Sequence, residues 1–187
     1  MQSSSDNNAP GGPRSLAHLY ATTLDDSDGR FNTRDGVFYP SGFALLALPD
    51  DNKLAKAVEI LMQGGVPEEH VTLLRAEQMR TLTDQSQHDA GMLSRIVAAE
   101  LKQMSVLEQL ADTGHQFLLV KHTDQSRSLL ESLGVQSGAS KGLLFHSLAV
   151  EELPVDKETI PGRSPFGVNE VIRTQNSDAD MSGKHRP

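Results

Sequence analysis

A chain of 187 residues with a formal net charge of −8, 37% hydrophobic residues and no cysteine is long enough for one ordinary domain with tails and too short for two comfortable ones. The missing cysteines exclude disulfides, thiolate nucleophiles and cysteine-based metal sites. Most of the charge, −6, falls between Gly42 and Leu153. There it repels phosphate backbones with no Lys/Arg cluster and interleaved aromatics to offset it, so nucleic acid is not an expected partner.

The first residues, "MQSSSDNNAPGGPRS", lack the basic and apolar regions of a secretory signal. No apolar run approaches the roughly 20 residues that span a bilayer. A cytoplasmic location and no membrane partner are the expectation. Residues 1–41 are expected to be mostly disordered, being rich in Ser, Asn, Gly and Pro up to Arg14. The scattered apolar residues after that, Leu16, Leu19, Tyr20, Phe31 and Val37 to Tyr39, are able to dock on a core but not to build one.

The domain is expected at residues 42–153. "FALLAL", Phe43 to Leu48, is a short, continuously apolar run followed by Pro49-Asp50-Asp51, which predicts a buried strand leading into a capped helix. Leu54, Ala57, Val58 and Leu61 recur at helical spacing, Gly64-Gly65 and Pro67 stop the helix, and "HVTLL", His70 to Leu74, follows as a strand. The same plan returns in "HQFLLVKH" (His115 to His122), Thr123-Asp124, Leu129, Leu130 and Leu133, Gly134, and "LLFHSL" (Leu143 to Leu148).

Matching order and nearly matching spacing indicate a duplicated βαβ unit. Between the copies, Leu93, Ile96, Val97, Leu101, Met104, Leu107 and Ala111 trace a helical stripe that predicts a bridging helix. The expected fold class is therefore α+β, a ferredoxin-like pair of βαβ units with an additional bridging helix and disordered tails. Residues 154–187, with four prolines and a polar end, are expected to form a flexible tail.

Both parities of "FALLAL" and "FLLV" are apolar, so both faces of the sheet should be buried. The bridging helix, the segment Phe31 to Tyr39 or a second subunit are the possible covers, and a homo-oligomer is the expected one.

The chemistry-bearing residues are sparse. The loop "GVQSGASKG", Gly134 to Gly142, makes Ser137, Ser140 and Lys141 the candidate ligand-binding residues, because successive backbone amides and a lysine are able to cradle an anion. It fails the Walker pattern and leaves a helix for a strand, the reverse of the P-loop context, and a plain connection is the competing explanation. His122 ends one predicted strand and His146 lies within another, so the two could approach each other in the sheet; with Asp124 they would supply part of a zinc site, yet no close His spacing supports one. Acidic pairs recur at Asp50-Asp51, Glu68-Glu69 and Glu151-Glu152, and the first two fit caps and solvated loops. No G-x-S-x-G elbow occurs. No catalytic residue, metal or cofactor is predicted.

"FALLALPDDNKLAKAVEILMQGGVPEEHVTLL" resembles the opening of the YflT-like general stress proteins and related ferredoxin-like domains of unknown function, and "FLLVKHTDQSRSLLESLG" with "GLLFHSL" is similar to the returning half. The resemblance covers Gly42 to about Leu153 and carries over no catalytic residue. It implies a non-enzymatic, stress-associated role; with the self-association expected from the two buried sheet faces, the expectation is a protein that self-associates and binds a small effector or a protein partner. The alternative is a cofactor-free enzyme of the dimeric ferredoxin-like type, with His122 or His146 at a pocket.

Overall fold

A strand that is apolar at every position needs a cover on each side, and the computed structural model, which describes residues 15–25, 27–89 and 95–155, shows how one chain provides both. In chain order the elements are β1 (Thr33–Arg34), β2 (Val37–Phe38), β3 (Phe43–Leu48), α1 (Asp51–Gln63), β4 (Val71–Leu74), α2 (Ala76–Asp89), α3 (Arg95–Asp112), β5 (Gln116–Lys121), α4 (Arg127–Ser137), β6 (Lys141–Phe145) and β7 (Val150–Glu152). The protein is mixed α+β. Its main sheet has five strands in the order β4-β5-β3-β6-β7, with every neighbouring pair antiparallel.

Local signals start the helices where expected. Asp50 caps α1 by accepting from Lys53 N at 2.8 Å, satisfying one of the amides that a helix N-terminus leaves orphaned. Ahead of α4, Ser126 Oγ accepts from Thr123 N at 3.0 Å and closes the turn that leads into the helix.

The alternation of strand side chains splits the core in two. Ala44, Leu46, Leu48, Leu73, Leu118, Val120 and Leu144 pack beneath Leu54, Val58 and Leu61 of α1 and Leu130 and Leu133 of α4. Leu45, Ala47, Leu74, Phe117, Leu119, Leu143 and Phe145 face the other way, against Met79 and Leu82 of α2, Met104, Leu107 and Ala111 of α3, and Phe31, Val37, Phe38 and Tyr39. Both faces are thus buried, as both apolar parities required. The second face is covered by α2, the bridging helix α3 and the N-terminal segment of the same chain, so this face no longer supplies the reason to expect a second subunit.

Two boundaries differ from expectation. The composition of residues 1–41 predicts a mostly disordered segment; residues 1–14 lie outside the described residues, but the β1–β2 hairpin belongs to the domain. It turns through Asp35 and Gly36, both at positive φ (53° and 80°), which is the two-residue geometry that matches strand twist. Phe31, Val37 and Phe38 are at most 2% exposed. Each such burial stabilises by about 1.5–3 kcal/mol, so together they rival the ~5–15 kcal/mol net stability of an ordinary domain. At the other end, 154–155 pack on the domain, and the rest of the expected tail lies outside the described residues.

A further difference is α2, a helix that the sequence pattern does not announce. Its buried face is Ala76, Met79, Leu82, Thr83 and Ser86. The two hydroxyls are accommodated by donating to carbonyls of their own helix, Thr83 to Arg80 O at 3.0 Å and Ser86 to Leu82 O at 2.7 Å. Ser86 Oγ also accepts from Phe38 N at 2.8 Å, which ties the hairpin to the helix. No helix among the described residues is long and apolar enough to cross a membrane.

Candidate functional site

The glycine-bearing stretch 134–142 is not an open loop. α4 runs through Ser137, and Gly138, at φ 73°, closes it in the left-handed conformation that glycine adopts without strain. Ser137 is fully buried and donates to Leu133 O at 2.7 Å. Ser140 is buried beside His115, with Oγ 2.9 Å from Nε2. Lys141 Nζ reaches Glu152 Oε1 at 2.7 Å, and that hydrogen bond is the chief reason the Glu152 carboxyl sits below its usual range. The three candidate ligand residues therefore serve three different internal partners. The neighbouring glycines have a packing reason: a Cβ on Gly134 would lie 2.2 Å from Pro154 O, and one on Gly142 would lie 2.9 Å from Leu153 Cβ.

His122 and His146 do meet. Each flanks Gly42 at the sheet end, where His122 N donates to Gly42 O and Gly42 N donates to Phe145 O, both at 2.8 Å. The imidazoles stand edge to face with centroids 6.3 Å apart. His146 Nε2 is 3.0 Å from Glu151 Oε2, and Arg127 holds Glu151 at 3.1 Å and Glu131 at 2.9 Å. The hydrogen bond to His146, followed by the Arg127 charge, keeps the Glu151 carboxyl low. His122 Nε2 is buried without a hydrogen-bond partner. Asp124 does not join them, and among the described residues no group of three His, Asp or Glu side chains is placed to hold a metal ion.

A cleft lies elsewhere, along the outer edge of β4. An edge strand presents unpaired backbone groups that need a cover, and the N-terminal segment supplies it. Tyr20 bridges Leu73 in parallel, Ala21 N donates to Leu73 O at 2.9 Å, and Gln78 Nε2 donates to Ala21 O at 2.8 Å. Leu19 is buried in the helix-side core, and the Arg75 guanidinium lies 4.6 Å from the centre of the Tyr20 ring. The chain then leaves the edge and returns at Arg30, whose Nη1 donates to Thr72 Oγ1 at 3.1 Å.

Between the outgoing and returning chain is a volume of about 570 Å³, bordered by residues 18–23, Arg30, Glu68, Glu69, Val71 and Thr72. Its electrostatics follow from the pairings. Asp28 grips Arg30 through Nε (2.8 Å) and Nη2; this hydrogen bonding lowers the carboxyl and raises the guanidinium, so the arginine charge is neutralised in place. His18 Nε2 sits 2.7 Å from Glu68 Oε1, both exposed. Burial is the main cause that raises the Tyr20 phenol, with Asp51 adding to it. Two glutamates against one imidazole leave the rim acidic, with the hydroxyls of Thr22, Thr23 and Thr72 beside it.

Of these residues, the sequence pointed to Glu68 and Glu69 for local reasons and to Leu19 and Tyr20 as apolar residues able to dock on a core, and to none of them as part of a site. Arg30 and Thr72 are 42 positions apart, and no spacing links them. No family model, curated protein or solved structure matches the chain.

Proposed function

We propose that this is a non-enzymatic binding protein, cytoplasmic and stress-associated, whose site is the cleft between residues 18–23 and the outer edge of β4. The observation that carries the proposal is the acidic, hydroxyl-lined cleft with its own arginine already neutralised by Asp28. Such a site favours a small effector or a peptide side chain bearing a basic nitrogen, because an ammonium or guanidinium gains both the rim carboxylates and neutral acceptors. The stress association rests on the resemblance of Gly42 to Leu153 to the YflT-like proteins.

The fold that goes with it is a ferredoxin-like duplication. Support comes from the strand order β4-β5-β3-β6, the antiparallel pairings, and α1 and α4 lying together over one face. Self-association belongs to the same proposal, through a surface other than the covered sheet face.

An amide NMR titration tests the binding site with two opposed probes, argininamide and inorganic phosphate. Argininamide should move the resonances of residues 18–23 and 68–72 in a saturable way, and phosphate should not. Movement by phosphate alone, or by neither, refutes the site.

A second reading is a cofactor-free enzyme at His122 and His146. It is favoured by one arrangement, the Glu151-anchored His146 beside the unpartnered Nε2 of His122, in which an oriented imidazole neighbours a second one able to take or give a proton. Turnover of any substrate that disappears in both His122→Ala and His146→Ala would displace the binding proposal.

A further inference from the structure

The hairpin β1–β2 meets α3 through a polar seam inside an otherwise apolar layer. Glu100 is 7% exposed and Tyr39 3%. Arg34 Nη1 stands 3.7 Å from Glu100 Oε1, which is beyond hydrogen-bond length, and its guanidinium lies 5.2 Å from the centre of the Tyr39 ring. Arg34 Nη1, Tyr39 Oη and Glu100 Oε2 are all buried without a hydrogen-bond partner, as is Gln103 Oε1 one helical turn further along α3. Native interiors leave few such atoms unpaired, and their concentration at one contact marks a weak joint.

The joint holds something down. Phe38 and Tyr39 of the hairpin lie against Phe145 of β6, with ring centroids 6.3 Å and 5.3 Å away. Releasing the hairpin therefore bares the sheet's second apolar face. The charged groups that act on Glu100, among the described residues, are Arg34, which favours ionisation, and Asp35, which opposes it, both from the hairpin. On the other elements packed nearby, Arg80 of α2 is drawn to Asp112 at 3.2 Å, and Glu152 of β7 is held by Lys141 and by Gln103.

We infer that the Arg34–Tyr39–Glu100 seam is a proton-operated latch: the hairpin is shut on α3 while Glu100 carries a proton and loosens as Glu100 ionises. An ionised carboxylate in this seam has one distant cation, an acidic neighbour and an unsatisfied oxygen, whereas the neutral acid is able to donate to a neighbouring acceptor such as Gln103 Oε1. Burial raises the Glu100 carboxyl above its usual value, and the Arg34 charge offsets only part of that rise. The direction follows: a group more easily protonated in the shut form than in the open one weakens the shut form as pH rises.

Amide hydrogen exchange, corrected for intrinsic rates, reads the latch directly. Between about pH 4 and about pH 8, protection at Phe38 and Tyr39 should fall several-fold relative to Leu118 and Leu119 of β5, and Glu100→Gln should abolish that fall. Equal pH dependence in the hairpin and β5, or an unchanged fall in Glu100→Gln, overturns the latch. If Glu100→Gln does not fold, the wild-type ratio of hairpin to β5 protection decides by itself.

Discussion

His115 Nε2 lies 2.9 Å from Ser140 Oγ, and the pair joins the start of β5 to the start of β6 in the interior. The other ring nitrogen, Nδ1, is 2.9 Å from Thr113 Oγ1, whose own proton goes to Leu110 O at 2.8 Å. Thr113 must therefore accept, which places the imidazole proton on Nδ1 and leaves Nε2 to accept from Ser140.

Burial holds this imidazole below its ordinary value of 6.5, and the sign of the consequence is fixed. The unfolded chain takes up a proton that the folded chain resists, so stability is complete above the unfolded value and declines as pH falls through the folded one. Urea denaturation at a series of pH values should show this loss on the acid side, and His115→Gln should flatten it while lowering stability at neutral pH. An identical acid slope in the variant would remove His115 as its source.

Gly134→Ala places a methyl carbon 2.2 Å from Pro154 O, a backbone atom that moves only with its chain. The substitution should cost about 1–3 kcal/mol, the usual range for overpacking, and should raise exchange at Leu153, whose N donates to Gly142 O at 3.0 Å. Thermal unfolding checks the first and hydrogen exchange the second.

A chain cut to begin at Gly42 loses Phe31, Val37, Phe38 and Tyr39 from the core. Compared with a chain beginning at Ser15, it should fail to fold cooperatively or should aggregate through the bared sheet face, as circular dichroism melting and light scattering would report. Equal melting of the two would mean that the hairpin is an ornament.

Legibility in the sequence tracked how much of each element's chemistry is local. β3, β4 and β5 could be read as short apolar runs, and α1, α3 and α4 because their apolar residues recur at helical spacing, α1 being bounded as well by Asp50 and the Gly64-Gly65 pair; Leu93 of the expected bridging stripe lies outside the described residues. α2 could not, because Thr83 and Ser86 occupy buried positions where a pattern expects aliphatic residues, and their hydroxyls are satisfied inside the helix. β1 and β2 have two residues each, too few to show alternation. Whether His122 and His146 meet was left open by the sequence, because it takes the placement of β3 between β5 and β6 to set both beside Gly42. The cleft was not: its walls come from residues 18–23, Arg30 and 68–72, which only the covering of β4's edge brings together.

The binding proposal turns on the rim carboxylates. Glu68→Gln with Glu69→Gln removes both charges from exposed positions, where loss of an ion pair costs the fold only about 0–1 kcal/mol. The decisive measurement is the argininamide titration repeated on this double variant. Affinity weakened several-fold with an unchanged melting temperature is the predicted result; undiminished affinity would contradict the cleft as an acidic binding site.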